Sequence, residues 1–330
     1  MITRRRALSL ACCSSIASAM PGLLQSAKSQ PQRGVSRILV GFPAGGNGDF
    51  IARLLASEIK GFSPTILVEN RPGAGGRLAL DGLKASAADG STMILTPAAM
   101  IVLYPHIYKT LKYDAFADFI PVTKICDFPY LVTIGPMVSA RVKTLADFIA
   151  WCRSNPGQAT YGTPGAGTPL HFTGVSLARA AGFDFVHVPY LGSLPAAQGA
   201  LGGQIASAIL PIDVPLPYLQ SGQLRAVVST SPQRATVLPD VPTVKEEGFP
   251  SLEFVDWMGI FLPAGTPDGT IDSLDRAIRS VLKKDETKAA LAKMSYEIAK
   301  ASRGDFARLI RSDFERWGSI VQASDFTPQD

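Results

Sequence analysis

Short apolar runs alternate along the chain with segments whose apolar residues recur every three or four positions. The runs "ILVGF", "TILVEN", "TMILTP", "PYLVTIG", "ATYGTP", "FVHVPY", "ASAILP", "LRAVVSTS" and "WMGIFLP" read as strands. Segments such as Thr144 to Ser154, with Leu145, Phe148, Ile149 and Cys152 on one stripe, read as helices. Strands separated by helices argue for βαβ units and parallel sheets, so the fold class is α/β. From Ile271 the chain is helical and more highly charged, with Leu274, Ile278, Val281 and Leu282 on one stripe, which predicts packing on the outside of a lobe.

Three strand-ending turns are rich in small residues: "FPAGGNGD", "NRPGAGGR" and "YGTPGAGTPLH". In open α/β sheets ligands lie beyond the carboxyl ends of strands, so these turns are expected to mark one cleft. The first joins the run Ile38 to Phe42 to a helical pattern carried by Phe50, Ile51, Leu54, Leu55 and Ile59. It lacks the Gly-Lys-Ser/Thr ending of a nucleotide loop and the third glycine of a dinucleotide fingerprint, so it suits a smaller anion. Gly45 and Gly46 let a ligand approach the backbone, and the amides at the helix start favour a carboxylate. Asp49 is read either as a site residue or as a helix cap, and Phe42 either as cleft wall or as core. In the second turn Thr168 is an N-cap and Pro169 a first helical residue, which gives a second positive helix end. Two such ends facing each other would hold a carboxylate without an arginine. His171 either orients this loop or meets the ligand, and Tyr190, ahead of Gly192, either lines the cleft or fills core. In the remaining turn Arg71 is either an acid's partner or a surface ion pair.

Composition narrows the class. A chain of 330 residues, 46% apolar and 18% charged, buries a large core and is long enough for two lobes. Arg4, Arg5 and Arg6 precede a short apolar stretch and the small residues Ala17, Ser18 and Ala19, which reads as an export signal over residues 1–27, cleaved after Ala19 or Ala27. The general secretory route is favoured over the twin-arginine route, whose motif is matched only loosely. Removing three arginines and no acids lowers the formal charge from +5 to +2, which leaves no case for nucleic acid. Past the signal no apolar run reaches the roughly 18 residues of a membrane span. Cys126 and Cys152 have no zinc-site spacing and are read as free thiols or as a disulfide. There is no Gly-x-Ser-x-Gly elbow and no His-Glu-x-x-His, so catalysis, for instance by Asp49 with His171, is the lesser reading.

The stretches "FPAGGNGDFIARLLA", "VENRPGAGG", "ADGSTMIL", "NPGQATYGTPGAGTPLH", "VHVPYLG", "LGGQI", "SGQLRAVVSTSPQR", "LPDVPTVKEEG" and "PAGTP" occur in this order. Together they closely resemble the Bug family, the extracytoplasmic solute receptors of tripartite tricarboxylate transporters, over nearly all of the chain past the signal. The resemblance implies a type II periplasmic-binding-protein fold: two α/β lobes, a hinge and a central cleft. It implies a first lobe of residues 31–126 and 264–330 and a second of 127–263. It implies a site of Phe42, Ala44, Gly45, Gly46 and Asp49 in one lobe and Gly165, Gly167, Thr168, His171, Tyr190 and Gly192 in the other. Leu210 joins them as cleft wall if it points inward. Two departures stand out: Leu210 and Gly199 occupy places where the family often has acids, which shifts weight from amino acids toward aromatic acids, dicarboxylates or neutral amides. The implied protein is a periplasmic monomer without cofactor or metal that takes up a small carboxylate or amide. Its partner is a membrane permease of the tripartite type or a sensor kinase. An exported enzyme on the same fold is the alternative.

Overall fold

A computed structural model describes residues 34–324 and 326–329; the export-signal reading falls outside them. Elements β1 (Val35–Val40), α1 (Asn47–Glu58), β2 (Thr65–Asn70), α2 (Arg77–Lys84), β3 (Thr92–Pro97), α3 (Ala99–Val102), α4 (Tyr104–Ile107) and β4 (Phe119–Ile134) come first. Next are α5 (Leu145–Ser154), β5 (Thr160–Thr163), α6 (Pro169–Ala181), β6 (Val186–Pro189), α7 (Ser193–Leu201), β7 (Ser207–Pro211), α8 (Leu216–Gln220) and β8 (Arg225–Ser229). The chain closes with β9 (Val255–Pro263), α9 (Asp268–Leu282), α10 (Asp285–Lys293), β10 (Glu297–Ile298) and α11 (Arg303–Ala323).

Local chemistry sets the helix starts. Thr144 with Asp147 and Ser302 with Asp305 form reciprocal capping boxes at α5 and α11. The stripe on α9 is buried as expected, with Ile271, Leu274, Ile278, Val281 and Leu282 enclosed. On α1 the buried face is Ile51, Ala52 and Leu55, while Phe50, counted into the apolar pattern, is 45% exposed.

The strands run in the order β2-β1-β3-β9-β4-β7-β5-β6, with β8 and β10 also pairing with β4. Two groups are parallel, as the alternation predicts: β2, β1 and β3, and β6, β5 and β7. Val40 lies opposite both Asn70 and Leu95, so the first three strands end together. The expectation of parallel sheets fails between these groups, where β9 is antiparallel to β3 and β4, and β4 is antiparallel to β7 and β8. Only the stretch from Pro129 onward reads as strand in the sequence, yet β4 begins at Phe119. Pro121 and register shifts at Pro121/Thr123 and Lys124/Cys126 break the period-two alternation there.

β4 therefore runs from one group to the other. Its residues Phe119 to Pro129 pair with β9, and Tyr130 to Ile134 pair with β7. Where it passes between them, the Tyr130 hydroxyl donates to the Asp256 carboxylate, and the Trp257 amide donates to the same group at 2.8 Å. The Trp257 indole donates to Asp313 Oδ2 at 2.8 Å, and Phe128 stacks on Tyr296 with ring centroids 4.5 Å apart. Burial pushes the Asp256 carboxyl up to about 7, against the bonds from Tyr130 and Trp257. Cys126 and Cys152 are separate, buried free thiols.

Gly135, just past β4, faces the backbone of α7: a Cβ there would lie 2.0 Å from the Ala200 carbonyl oxygen. Gly135→Ala is expected to destabilise the protein by about 1–3 kcal/mol through overpacking against backbone that cannot yield. Gly157→Ala, whose added methyl meets nothing within 4 Å, is the control and leaves the denaturation midpoint unchanged.

Candidate functional site

At the carboxyl end of β1 the backbone of one turn lies directly on that of another. A Cβ on Gly41 would sit 2.8 Å from Gly76 Cα, so the turns after β1 and β2 can touch only because Gly41 lacks a side chain. Ala44, Gly45 and Gly46 are exposed beyond this contact, and Phe42 is 38% exposed, which places it outside the core. Gly46 is the N-cap of α1 and brings no side-chain cap, so the first amides of that helix are not covered by a side chain.

Asp49 shapes this turn from behind. Its carboxylate is 5% exposed; Oδ2 accepts from the Gly45 amide at 3.0 Å and from Arg53 Nε at 2.9 Å, while Oδ1 is buried without a partner. The Arg53 guanidinium, and then the Gly45 amide, hold the carboxyl at about 2. Its charge is thereby neutralised beside a helix end that favours anions.

The second turn is built the same way with different parts. Thr168 Oγ1 caps α6 by accepting from the His171 amide at 3.2 Å, and it donates to the Gly165 carbonyl at 2.8 Å. Gly167 is left-handed (φ +72°) and donates its amide to His171 Nδ1 at 3.2 Å. His171 thereby holds the loop, one of the two roles open to it. Its ring lies on that of His187, centroids 4.0 Å apart, and His187 Nε2 meets Thr163 Oγ1 at 2.7 Å. Burial pushes His171 down to about 4 and His187, with the repulsion of His171 added, to about 4. Both imidazoles are uncharged at neutral pH.

The turn after β6 closes against this one: Tyr190 N–H donates to Thr163 O at 2.9 Å and Gly192 N–H to Pro164 O at 3.3 Å. The Tyr190 ring lies between β5 and α7, where a Cβ on Gly162 would be 2.9 Å from Cε2 and one on Gly199 would be 2.2 Å from the hydroxyl. Gly199 is thus the space that the Tyr190 hydroxyl occupies. Leu210 is fully enclosed with Ala196, Ala200 and Ile205.

Two links connect the groups of turns. Asn47, the first residue of α1, donates through Nδ2 to Asp213 Oδ2 and to the Tyr296 hydroxyl, each at 2.8 Å, and Tyr296 donates to Asp213 Oδ1 at 3.0 Å. Burial raises the Asp213 carboxyl, against these bonds. The second link is steric: a Cβ on Gly167 would lie 3.1 Å from Ile107 Cδ1 and 3.2 Å from Phe326 Cζ. Sequence reasoning missed Asn47, Asp213 and Tyr296. The one available signal was an acid three residues beyond Leu210, at the end of "ILPID".

The arrangement is suited to anion binding by dipoles. Among the described residues no group of three or more His, Cys, Asp or Glu side chains is placed to hold a metal ion, and no helix is long and apolar enough to cross a membrane. A pocket of about 490 Å³ lined by Cys152, Arg153, Arg179 and Asp184 lies at the far end of α6, where the helix dipole opposes an anion.

Residues 51–326 match the family model described as "Tripartite tricarboxylate transporter family receptor". The chain belongs to this receptor family. Protein BugT of Bordetella pertussis is 30% identical over 299 residues, which cover 90% of this chain and 91% of that one. A structure from R. palustris solved with adipate is 27% identical, with a TM-score of 0.81 over 90% of this chain and 99% of its own. MatC from Rhodopseudomonas palustris, solved with bound malate, is 27% identical, with a TM-score of 0.75 over 87% and 99%. The receptor accordingly has the mixed α/β fold of periplasmic binding proteins, and its family binds solutes without transforming them.

Nuclear magnetic resonance titration of the imidazoles tests the electrostatics of the second turn. His171 and His187 are expected to stay neutral down to about pH 4. Protonation of either near 6.5, the ordinary histidine value, would contradict the buried, stacked pair.

Proposed function

We propose that this receptor is periplasmic and captures a small organic acid by its carboxylate, for delivery to a tripartite permease or for reporting to a sensor kinase. The observation that carries the reading is the pairing of two glycine turns, Ala44 to Gly46 and Gly165 to Gly167, each leading into the amino end of a helix. With Asp49 matched by Arg53 and both nearby histidines uncharged, backbone amides are what the turns offer an anion. The solved relatives with adipate and malate support the same chemistry. Phe42 and Tyr190 are proposed as flanking walls, with Leu210 behind Tyr190 as support.

In this proposal the turns sit in separate lobes that close around the ligand. The lobes divide along β4 near Cys126. The second crossing is proposed ahead of Val255; the bonding of β9 to β3 and to the first part of β4 supports this bound over Pro263. Closure excludes water from the carboxylate's hydrogen bonds and gives a partner a changed surface to recognise.

Gly46→Leu is a clean test. Gly46 has φ −81° and no atom nearer than 3.6 Å to an added Cβ, so a side chain can branch there, at the start of α1, without backbone strain. A thermal-shift panel of carboxylates and amides is expected to find acids that raise the melting temperature of the parent by a few degrees, the effect of about 2.7 kcal/mol at a hundredfold excess over Kd. Gly46→Leu is expected to weaken those acids at least tenfold and leave the unliganded melting temperature unchanged. Equal affinity in both proteins, or stabilisation by amides alone, would count against the carboxylate site.

A further inference from the structure

Arg77, the first residue of α2, is unusual among the arginines near these turns. Arg53 pairs with Asp49, and Arg37 and Arg71 pair with Glu69. Arg77 pairs with no carboxylate among the described residues. Asp81, one helical turn along, has Oδ1 buried without a partner, yet Arg77 does not bond to it. Instead the guanidinium lies flat over the Tyr108 ring, 3.7 Å from its centroid, and Nε donates to the Ala74 carbonyl at 2.9 Å. Stacking and this one bond fix the plane of the fork, and among the described residues its two terminal nitrogens have no hydrogen-bond partner, the geometry that accepts a carboxylate edge-on.

The position of this pair ties it to both candidate turns. Gly76, immediately before Arg77, is the residue against which Gly41 packs at the root of the first turn. The Tyr104 hydroxyl donates to the Gly75 carbonyl at 2.8 Å, and Tyr104 meets Tyr108 edge to face with centroids 5.1 Å apart. Ile107, between these tyrosines, is the side chain against which Gly167 of the second turn lies. A row of contacts thus runs from the first turn through Arg77 and Tyr108 to the second.

We infer that Arg77, held on Tyr108, anchors a second acidic group of the ligand, which makes the site selective for dicarboxylates over monocarboxylates. The inference rests on the carboxylate-receptor reading: the amides at α1 and α6 take one carboxylate, and Arg77 takes the other. An arginine held by an aromatic face and a carbonyl pays little ordering entropy when a ligand arrives, which is the condition for a specificity contact.

Calorimetric titration with adipate and with hexanoate, acids of equal chain length that differ in the second carboxylate, tests this in the parent, Arg77→Gln and Arg77→Lys. The parent is expected to bind adipate at least tenfold more tightly than hexanoate. Arg77→Gln is expected to abolish that difference, and Arg77→Lys to restore part of it, because a lysine keeps the charge and loses the planar fork. The melting temperature of each unliganded variant checks folding. A parent that binds the two acids alike, or an Arg77→Gln that weakens both equally or neither, overturns the subsite while the carboxylate receptor stands. A parent that binds neither acid overturns the subsite, and the thermal-shift panel then decides the receptor reading separately.

Discussion

The hydrogen bonds along β4 are the constraint on which the rest of the receptor depends. One strand serves two sheet regions: its first part is paired with β9 and its second with β7 and β8. The parallel strands that carry the turns join this shared strand through their neighbours, β1 by way of β3 and β9 and β5 by way of β7. Its irregular stretch allows the change of partner, since bulges re-aim a strand and increase its twist. Polar groups buried at the crossing are matched: Asp256 with Tyr130 and the Trp257 amide, Asp313 with the Trp257 indole. An unmatched carboxylate there would cost several kcal/mol, so the network fixes which groups meet as well as how firmly they hold.

The proposed capture of an anion without a cation in either turn follows from how the charges are spent. A carboxylate leaving water needs its hydrogen bonds replaced, and fixed amides at helix ends replace them with no side chain to reorganise. Asp49 would oppose this if its charge were free, but Arg53 and the Gly45 amide occupy one of its oxygens and keep it ionised. The His171 and His187 pair contributes shape instead of charge, holding the Gly167 amide on one side and Thr163 on the other. Arg77 lies outside both turns, on an aromatic face that positions it without neutralising it.

Much of this was legible in the sequence because it is local. Apolar runs of period two or none gave β2 and β3 their full extents, and the Thr168-Pro169 pair gave the start of α6. The first part of β4 was not legible, since Pro121 and two register shifts erase the alternation that marks a strand. Phe50 followed the apolar count and still faces outward, because the count does not say which edge of a stripe meets the core. The Asn47–Asp213–Tyr296 link joins residues 166 and 249 positions apart from Asn47, and no local pattern encodes such a meeting. Gly199 was read as a missing acid; the structure gives it a positive role, as the gap that receives Tyr190.

The most direct test of the central claim is amide chemical-shift mapping on isotope-labelled receptor as a stabilising carboxylate is added. The account predicts that the amides of Gly46, Asn47 and Gly48 at the start of α1, and of Ala166 and Thr168 before α6, move together toward the hydrogen-bonded range. Shifts confined to one turn, or centred on the pocket at Cys152 and Arg179, would contradict capture of the acid between the two helix ends.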